Sequence, residues 1–284
     1  MGCYLCKSNK YSKRTGSVRD NSNIDILECS DCGLVYLSSL NHIQDGHYEK
    51  SGMHDEPLPD IDNWLKETEL DDRRRYDFFK EKIAKKNVLD FGCGVGGFLE
   101  MAKQSARNIS GVELERALQS SFQERKLNVF SSLEEVQKES LKYDIITAFH
   151  VVEHLKNPKE ILKDLSQLLT ENGEIIIEVP NSNDALLTLY ENEPFKNFTY
   201  WSQHLFLFNK KTMTELIKQT GLKLNWIKHI QRYPLSNHLY WLAKGRPGGH
   251  QVWDFMNNNK LDKEYESQLS NVCRTDTIIL GVSK

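Results

Sequence analysis

The sequence predicts an α/β protein in which helices cover both faces of a parallel sheet. Short apolar runs with strand character alternate with stretches of helical spacing from residue 87 onwards, and this alternation is typical of such a sheet. A glycine-rich turn at residues 92–97 follows the first of these apolar runs. Two pairs of cysteines precede all of them, which predicts a small separate module at the N-terminus.

The predicted elements follow the apolar periodicity and the turn residues. Strands are predicted near 87–91, 109–113, 128–131, 143–149, 174–179, 222–231 and 276–283. Helices are predicted near 63–85, 96–106, 115–125, 158–170 and 212–220. Pro158 marks a helix start, and Gly173 and Gly221 follow helix ends. The polar stretch 41–62, which contains Pro57 and Pro59, is predicted to be a connection.

Composition and charge limit the classes of function that the protein can have. The chain has 284 residues and a net charge of −3, so it lacks the basic balance of a dedicated nucleic-acid-binding protein. The Arg73–Arg75 run is expected on a solvated helix face. No stretch approaches the ~20 apolar residues of a membrane span, and the first residues lack signal-peptide features. We therefore expect a cytoplasmic protein without a membrane partner.

The turn after the first strand indicates the ligand. Asp90 ends that strand, Gly92 and Gly94 follow it, and Glu113 ends the next strand-like run. A dinucleotide places its pyrophosphate at such a helix start, and a carboxylate there opposes an anion. The same carboxylate favours the sulfonium and ammonium groups of S-adenosylmethionine (SAM), while Glu113 is placed to accept hydrogen bonds from ribose hydroxyls. The alternative is a glycine-rich turn without a ligand.

Together with residues 143–155 and 173–181, these motifs resemble class I SAM-dependent methyltransferases over roughly residues 75–230. The resemblance implies a Rossmann-like seven-stranded mixed sheet whose last strand is antiparallel, and a helix before the first strand that closes over the cofactor. It divides the chain into a linker and lid at 41–86, a SAM-binding core at 87–231, and an acceptor-side insertion with the final strand at 232–284. The implied cofactor contacts are Asp90, Gly92, Cys93, Gly94, Glu113, Leu114, Ser132, Leu133, Phe149, His150 and Glu153.

Four cysteines predict a zinc ribbon over residues 1–40. Cys3 and Cys6 form one C-x2-C pair, and Cys29 and Cys32 form a second pair 22 residues later. Each pair presents two thiolates from one turn, and four sulfurs complete a tetrahedral structural Zn²⁺ site with no open position for chemistry. Redox thiols or disulfides are the alternative, and a reducing cytosol disfavours disulfides.

His204 is the candidate general base, because a neutral imidazole can accept a hydroxyl proton at physiological pH. It lies in the aromatic segment 200–208, which resembles sugar methyltransferases with an N-terminal zinc ribbon. His150 and Tyr200 are further catalytic candidates, and a structural role for His204 is the alternative. His150 and His154 are spaced like metal ligands, but the sequence supplies no evident third ligand, so no metal is expected there.

The acceptor is predicted to be a small molecule, with a nucleotide-linked sugar or surface-glycan precursor as the first class. Residues 232–250 combine aromatic, amide and cationic side chains, among which Arg232 is a candidate to bind phosphate and Tyr240 a candidate to stack on a ring. One alternative is an RNA methyltransferase that uses the ribbon for recognition. Another is a scaffold that binds the cofactor without turnover.

Overall fold

The computed structural model describes residues 2–50, 52–53 and 60–284, so Pro57 and Pro59 lie outside the described residues. The strands are β1 (Tyr11–Lys13), β2 (Ile26–Cys29), β3 (Val35–Leu37), β4 (Asn87–Phe91), β5 (Asn108–Val112), β6 (Val129–Phe130), β7 (Tyr143–Phe149), β8 (Leu169–Pro180), β9 (Phe206–Leu207), β10 (Lys223–Ile230) and β11 (Thr277–Ser283). The α-helices are α1 (Ile61–Ile83), α2 (Gly97–Ala102), α3 (Gln119–Glu124), α4 (Leu133–Lys138), α5 (Pro158–Gln167), α6 (Ala185–Thr188), α7 (Glu193–Thr199), α8 (Lys210–Thr220), α9 (Leu235–Lys244), α10 (Gly249–Val252) and α11 (Asn259–Asn271). Short 3₁₀ turns occur at Arg116–Leu118, Val152–His154 and Asp254–Met256.

The large sheet has seven strands in the order β10-β11-β8-β7-β4-β5-β6. Strands β4 to β8 pair in parallel, and β11 lies antiparallel between β8 and β10. This confirms the predicted seven-stranded mixed sheet with an antiparallel last strand. Strands β5 and β6 lie on one side of β4, and β7 and β8 lie on the other. This change in strand order opens a crevice at the carboxyl ends of β4 and β7.

The central strands are apolar on both faces because helices cover both sides. Ile175, Ile176 and Ile177 of β8 are fully buried, as are Ile278 and Ile279 of β11. Such continuous apolar runs cannot face water on either side, so they fix the sheet at the centre of the fold. Among the described residues, no helix combines the length and apolar character needed to cross a membrane.

The structure adds helices where the sequence predicted irregular chain. The segment after β8 contains α6 and α7, and the insertion between β10 and β11 contains α9, α10 and α11. Helices α6, α7 and α10 were missed because they are only 4 to 7 residues long, too short for a periodic pattern. Conversely, the predicted helix 96–106 ends at Ala102, shortly before β5 begins.

The N-terminal ribbon shares a sheet with the rest of the chain. Strands β1, β2 and β3 are antiparallel, and β9 from the larger domain adds to β3 through the pairs Val35↔Leu207 and Tyr36↔Phe206. Tyr36 and Phe206 are both fully buried, and the apolar core is continuous from the ribbon into the large domain. The ribbon therefore rests on the large domain in a fixed orientation.

The four cysteine sulfurs lie together at the tip of this ribbon. Cys3 Sγ is 3.4 Å from Cys32 Sγ, and Cys6 Sγ is 3.4 Å from Cys29 Sγ. All four sulfurs lie within 4.8 Å of one another. The arrangement is compatible with a tetrahedral Zn²⁺ site with four thiolate ligands.

Candidate active site

A cavity of about 730 Å³ opens at the carboxyl ends of β4, β5 and β7. Its wall also includes side chains of α1, of the segment 195–204 and of the C-terminal insertion. Helix α1 thus covers the crevice, as the resemblance implied for the helix before the first core strand. The predicted site residues in the cavity wall are Asp90, Gly92, Cys93, Gly94, Glu113, Leu114, Phe149, His150 and His204.

The glycine turn brings bare backbone to the cavity. Gly92 has φ +73°, and a Cβ there would lie 2.5 Å from Cγ2 of Val151, so only glycine fits. Gly94 also has positive φ, and a Cβ there would meet open space. At Gly92 and Gly94 the backbone itself therefore lines the cavity, which suits close approach of a ligand.

Asp90 lies at the base of this turn and is 3% exposed. Thr147 Oγ1 donates a hydrogen bond to Asp90 Oδ1 at 2.6 Å. Burial raises the pKa of Asp90 to about 7, although the bond from Thr147 acts in the opposite direction. Because a nearby cation favours the charged carboxylate, the site gains most from a positively charged ligand.

Glu113 is held in place by backbone N–H groups. Gly94 N–H donates to Oε2 at 2.8 Å, and Glu115 N–H donates to Oε1 at 3.0 Å. Burial raises the pKa of Glu113 above its ordinary value, although these bonds favour the carboxylate. Its orientation at the end of β5, next to the glycine turn, suits acceptance of hydrogen bonds from ribose hydroxyls.

Helix α1 is fastened to the sheet by arginines, which corrects the prediction that the Arg73–Arg75 run is solvated. Arg73 is exposed, but Arg74 and Arg75 both donate to Glu178 of β8, with Nη2 atoms at 2.8 and 2.9 Å from Oε1. Burial alone would raise the pKa of Glu178, but Arg75, His150 and Arg74 hold it well below the ordinary range. The prediction was wrong because a buried carboxylate on another strand cannot be seen from local spacing.

His150 lies in the cavity wall with both ring nitrogens occupied. Its backbone is left-handed, with φ +56°, at the turn that ends β7. Nε2 lies 3.1 Å from Arg232 Nη1 and 3.3 Å from Glu178 Oε1, and Nδ1 donates to Glu153 Oε1 at 3.1 Å. Arg232 is in turn paired with Asp71 of α1, so this arginine is not free to bind a phosphate as the sequence suggested.

His204 belongs to a cluster with Glu153 and His154. The rings of His204 and His154 have centroids 4.9 Å apart, and His154 Nδ1 donates to the carbonyl oxygen of Gln203 at 2.8 Å. Burial lowers the pKa of His204 to about 3, and His154 adds to this effect. The imidazole is therefore neutral at physiological pH.

Four predicted residues do not line the cavity. Tyr200 is buried at the junction with the ribbon, where it hydrogen-bonds Arg14, and this corrects its placement as a catalytic group. Ser132 caps α4 by accepting from Glu135 N–H, and Leu133 packs into the core, so neither reaches a cofactor in the cavity. Glu153 is 0% exposed and lies behind His150.

Several cavity residues were missed by sequence reasoning. Arg19 comes from the ribbon, and its guanidinium lies 4.9 Å from the ring centroid of Trp201 and 5.5 Å from that of Phe198. Asp71 and Asp72 of α1 also line the cavity. No local motif marks Arg19, because its place follows from the packing of the ribbon on α7 and the chain after it.

Comparison with known proteins bears on this site directly. A family model described as a methyltransferase domain matches residues 64–225, which include the glycine turn and most of the sheet. The chain belongs to this methyltransferase family. It is a SAM-dependent methyltransferase.

Curated relatives of the methyltransferase include ubiquinone biosynthesis O-methyltransferases. The protein from Coxiella burnetii is 25% identical over 163 residues, which are 54% of this chain and 70% of the relative. The protein from Acinetobacter baylyi is 26% identical over 174 residues, which are 57% of this chain and 73% of the relative. Both alignments span more than half of the methyltransferase.

Solved structures share the fold at low identity. The plantazolicin methyltransferase BpumL, in complex with S-adenosylhomocysteine, superposes with a TM-score of 0.52 and 17% identity over 82% of this chain and 92% of that one. The cyclopropane synthase MmaA2 from Mycobacterium tuberculosis gives a TM-score of 0.51 and 16% identity over 75% and 84%. These likenesses show the fold of the methyltransferase.

Proposed function

We propose that this methyltransferase transfers the methyl group of SAM to a hydroxyl oxygen of a small ring-bearing anion, with nucleotide-linked sugars and surface-glycan precursors as the acceptor class. The observation that carries the proposal is Arg19, a cation between the aromatic rings of Phe198 and Trp201 in the cavity wall. A guanidinium binds phosphate oxygens through a planar set of donors, and aromatic faces bind a base or a sugar ring.

The position of Arg19 supports a binding role because its loop is fixed on the large domain. Arg19 N–H donates to the carbonyl oxygen of Tyr200 at 2.9 Å, and Asp20 accepts from Ser202 N–H and Oγ at 3.0 and 2.6 Å. The Arg19 guanidinium donates from Nη1 to the carbonyl oxygen of Phe198 at 3.4 Å, and within the described part of the chain it forms no ion pair with a carboxylate. A cation that is held in place without a carboxylate partner is available for an anionic acceptor.

The cofactor and acceptor are assigned to different parts of the cavity in this proposal. Asp90 takes the positively charged end of SAM, and Glu113 takes the ribose. The aromatic residues near Arg19 hold the acceptor, so positioning supplies much of the rate of the in-line displacement. A small acceptor also agrees with the net charge of −3, which gives RNA no extended basic face.

His204 is the candidate to receive the acceptor's proton. Its ring is neutral and lines the cavity. A pKa of about 3 makes it a weak base, so on its own it favours acceptors whose hydroxyl is already acidic.

A second candidate acceptor is a phenolic quinone precursor. This candidate is favoured by the similarity of the chain to ubiquinone biosynthesis O-methyltransferases. A phenol is more acidic than a sugar hydroxyl, so a weaker base can remove its proton.

Methyl transfer from radiolabelled SAM tests the proposal. The purified full chain is incubated with a panel of nucleotide sugars, a panel of phenols with and without a phosphate group, and bulk RNA. Label in a nucleotide sugar is the expected result. Label only in unphosphorylated phenols would move the function to the second candidate, and label only in RNA would overturn both.

A further inference from the structure

Glu153, His154 and His204 form a second group of potential metal ligands, which we call the cavity triad. One ligand atom from each side chain lies within 4.8 Å of the other two, and the four ribbon sulfurs are equally close to one another. His154 and His204 line the cavity, and Glu153 lies directly behind His150. The triad is therefore part of the cavity wall at the end of β7.

The triad has unused ligand capacity. Glu153 is 0% exposed, yet its Oε2 has no hydrogen-bond partner among the described residues, and the buried Nδ1 of His204 has none either. A buried carboxylate oxygen without a partner is costly. A cation bound between these atoms removes that cost, because it satisfies the carboxylate and both imidazoles at once.

Neighbouring groups already orient the triad as metal ligands are usually oriented. His154 donates its Nδ1 proton to the carbonyl oxygen of Gln203, which leaves Nε2 unprotonated. Glu153 Oε1 accepts from His150 Nδ1, which leaves Oε2 unused. Histidine ligands commonly donate the other ring N–H to a carbonyl or carboxylate, and this fixes the tautomer and the ring.

We propose that the cavity triad binds one divalent transition-metal ion, with Zn²⁺ as the first ion to test. Two imidazoles and one carboxylate suit this class of ion better than Mg²⁺ or Ca²⁺, which prefer oxygen ligands. Ligand atoms bound at 2.0–2.1 Å lie about 3–4 Å apart, so the three side chains need only rotate slightly inward. Three protein ligands leave an open position for a cavity ligand.

This inference rests on the proposed function for its chemistry. An acceptor hydroxyl bound at the open position loses its proton to bulk water more readily, because the ion stabilises the alkoxide. The oxygen then forms a bond to the methyl carbon while the bond from that carbon to sulfur breaks, and S-adenosylhomocysteine leaves. In this arrangement His204 is a ligand, which removes the need for a strong base at that position.

Cobalt binding to the full chain tests the site without any methyl transfer. Co²⁺ bound by the ribbon thiolates gives intense sulfur-to-metal charge-transfer absorption, whereas Co²⁺ bound by nitrogen and oxygen gives only weak visible bands. We expect two Co²⁺ ions per chain by equilibrium dialysis. In His204→Ala and Glu153→Gln we expect one ion per chain with the charge-transfer band unchanged, which also shows that the variant is folded.

His229→Gln is the matched control, since this histidine lies outside the cavity wall and should leave both ions bound. A single ion per chain that carries the full charge-transfer band in the unaltered protein, or two ions in His204→Ala, would overturn the proposal. The two proposals fail separately. A protein that binds two ions but methylates no member of either acceptor panel contradicts the proposed function alone, and one that methylates with the cavity site empty contradicts the metal site alone.

Discussion

The ribbon cysteines and the cavity triad are two groups of ligand atoms with the same close spacing and different surroundings. The ribbon offers four sulfurs from two tight turns, so a Zn²⁺ ion bound there would have all four tetrahedral positions filled by the protein. The triad offers three atoms of mixed type in the wall of a 730 Å³ cavity, which leaves room for a further ligand. The four-cysteine arrangement is typical of a structural metal site, and the three-ligand arrangement is typical of a catalytic one.

The largest expected effect comes from breaking the ribbon. Cys29→Ser should unfold the first 40 residues, because structural Zn²⁺ contributes roughly 10 kcal/mol or more to the folding of such small modules. The loss should also expose the β9 edge and lower the melting temperature of the whole chain. Calorimetry together with zinc content measures this, and Cys273→Ser is the control outside the ribbon. An unchanged melting temperature would contradict a folding role for the ribbon metal.

The next effect separates the two roles of His204. His204→Ala should reduce turnover by roughly 10²–10⁴ and leave SAM affinity nearly unchanged. Glu153→Gln should reduce turnover to a similar degree if the triad binds an ion, whereas a lone general base predicts a much smaller loss. Turnover and SAM affinity of both variants, with and without added Zn²⁺, decide between these outcomes. Full turnover in His204→Ala would remove this residue from the chemistry.

The affinity of the cavity for SAM should depend on pH through Asp90. Burial raises the pKa of Asp90 to about 7, and a cationic ligand favours the ionised form. SAM affinity should therefore be highest above pH 7 and fall by up to about tenfold per unit as the pH decreases below 7. Calorimetric titrations between pH 5.5 and 7.5 measure this. Asp90→Asn should bind SAM more weakly, and its affinity should not change with pH. A steep pH dependence of SAM affinity in that variant would show that another group causes the effect.

The smallest effect concerns the one ribbon side chain that we assign to the acceptor. Arg19→Ala should raise KM for phosphorylated acceptors by about tenfold, because a charged hydrogen bond contributes roughly 1.5–3 kcal/mol. Arg19→Lys should recover part of the loss, and SAM affinity should not change. Parallel assays with phosphorylated and unphosphorylated acceptors measure the difference. An equal change in KM for both kinds of acceptor would indicate a packing role instead.

The local patterns of the sequence determined the frame of this protein. Strand and helix periodicity predicted a sheet covered by helices, the family resemblance implied its seven strands, and Asp90, Gly92 and Glu113 were predicted at the turn that now lines the cavity. The paired cysteines predicted the ribbon cluster. Each of these features depends on residues within one turn or one strand–turn–helix unit, so spacing along the chain is enough to find it.

Only the tertiary structure decided the acceptor side. It brought Arg19 from the ribbon to the ring of Trp201, placed Arg75 on Glu178, and set His204 beside Glu153 and His154, where it is the third potential ligand that the sequence did not show. It also moved Tyr200 out of the cavity and into the ribbon junction. Such contacts join residues that lie 50 or more positions apart, and their partners are set by how sheets and helices pack, which no local spacing encodes.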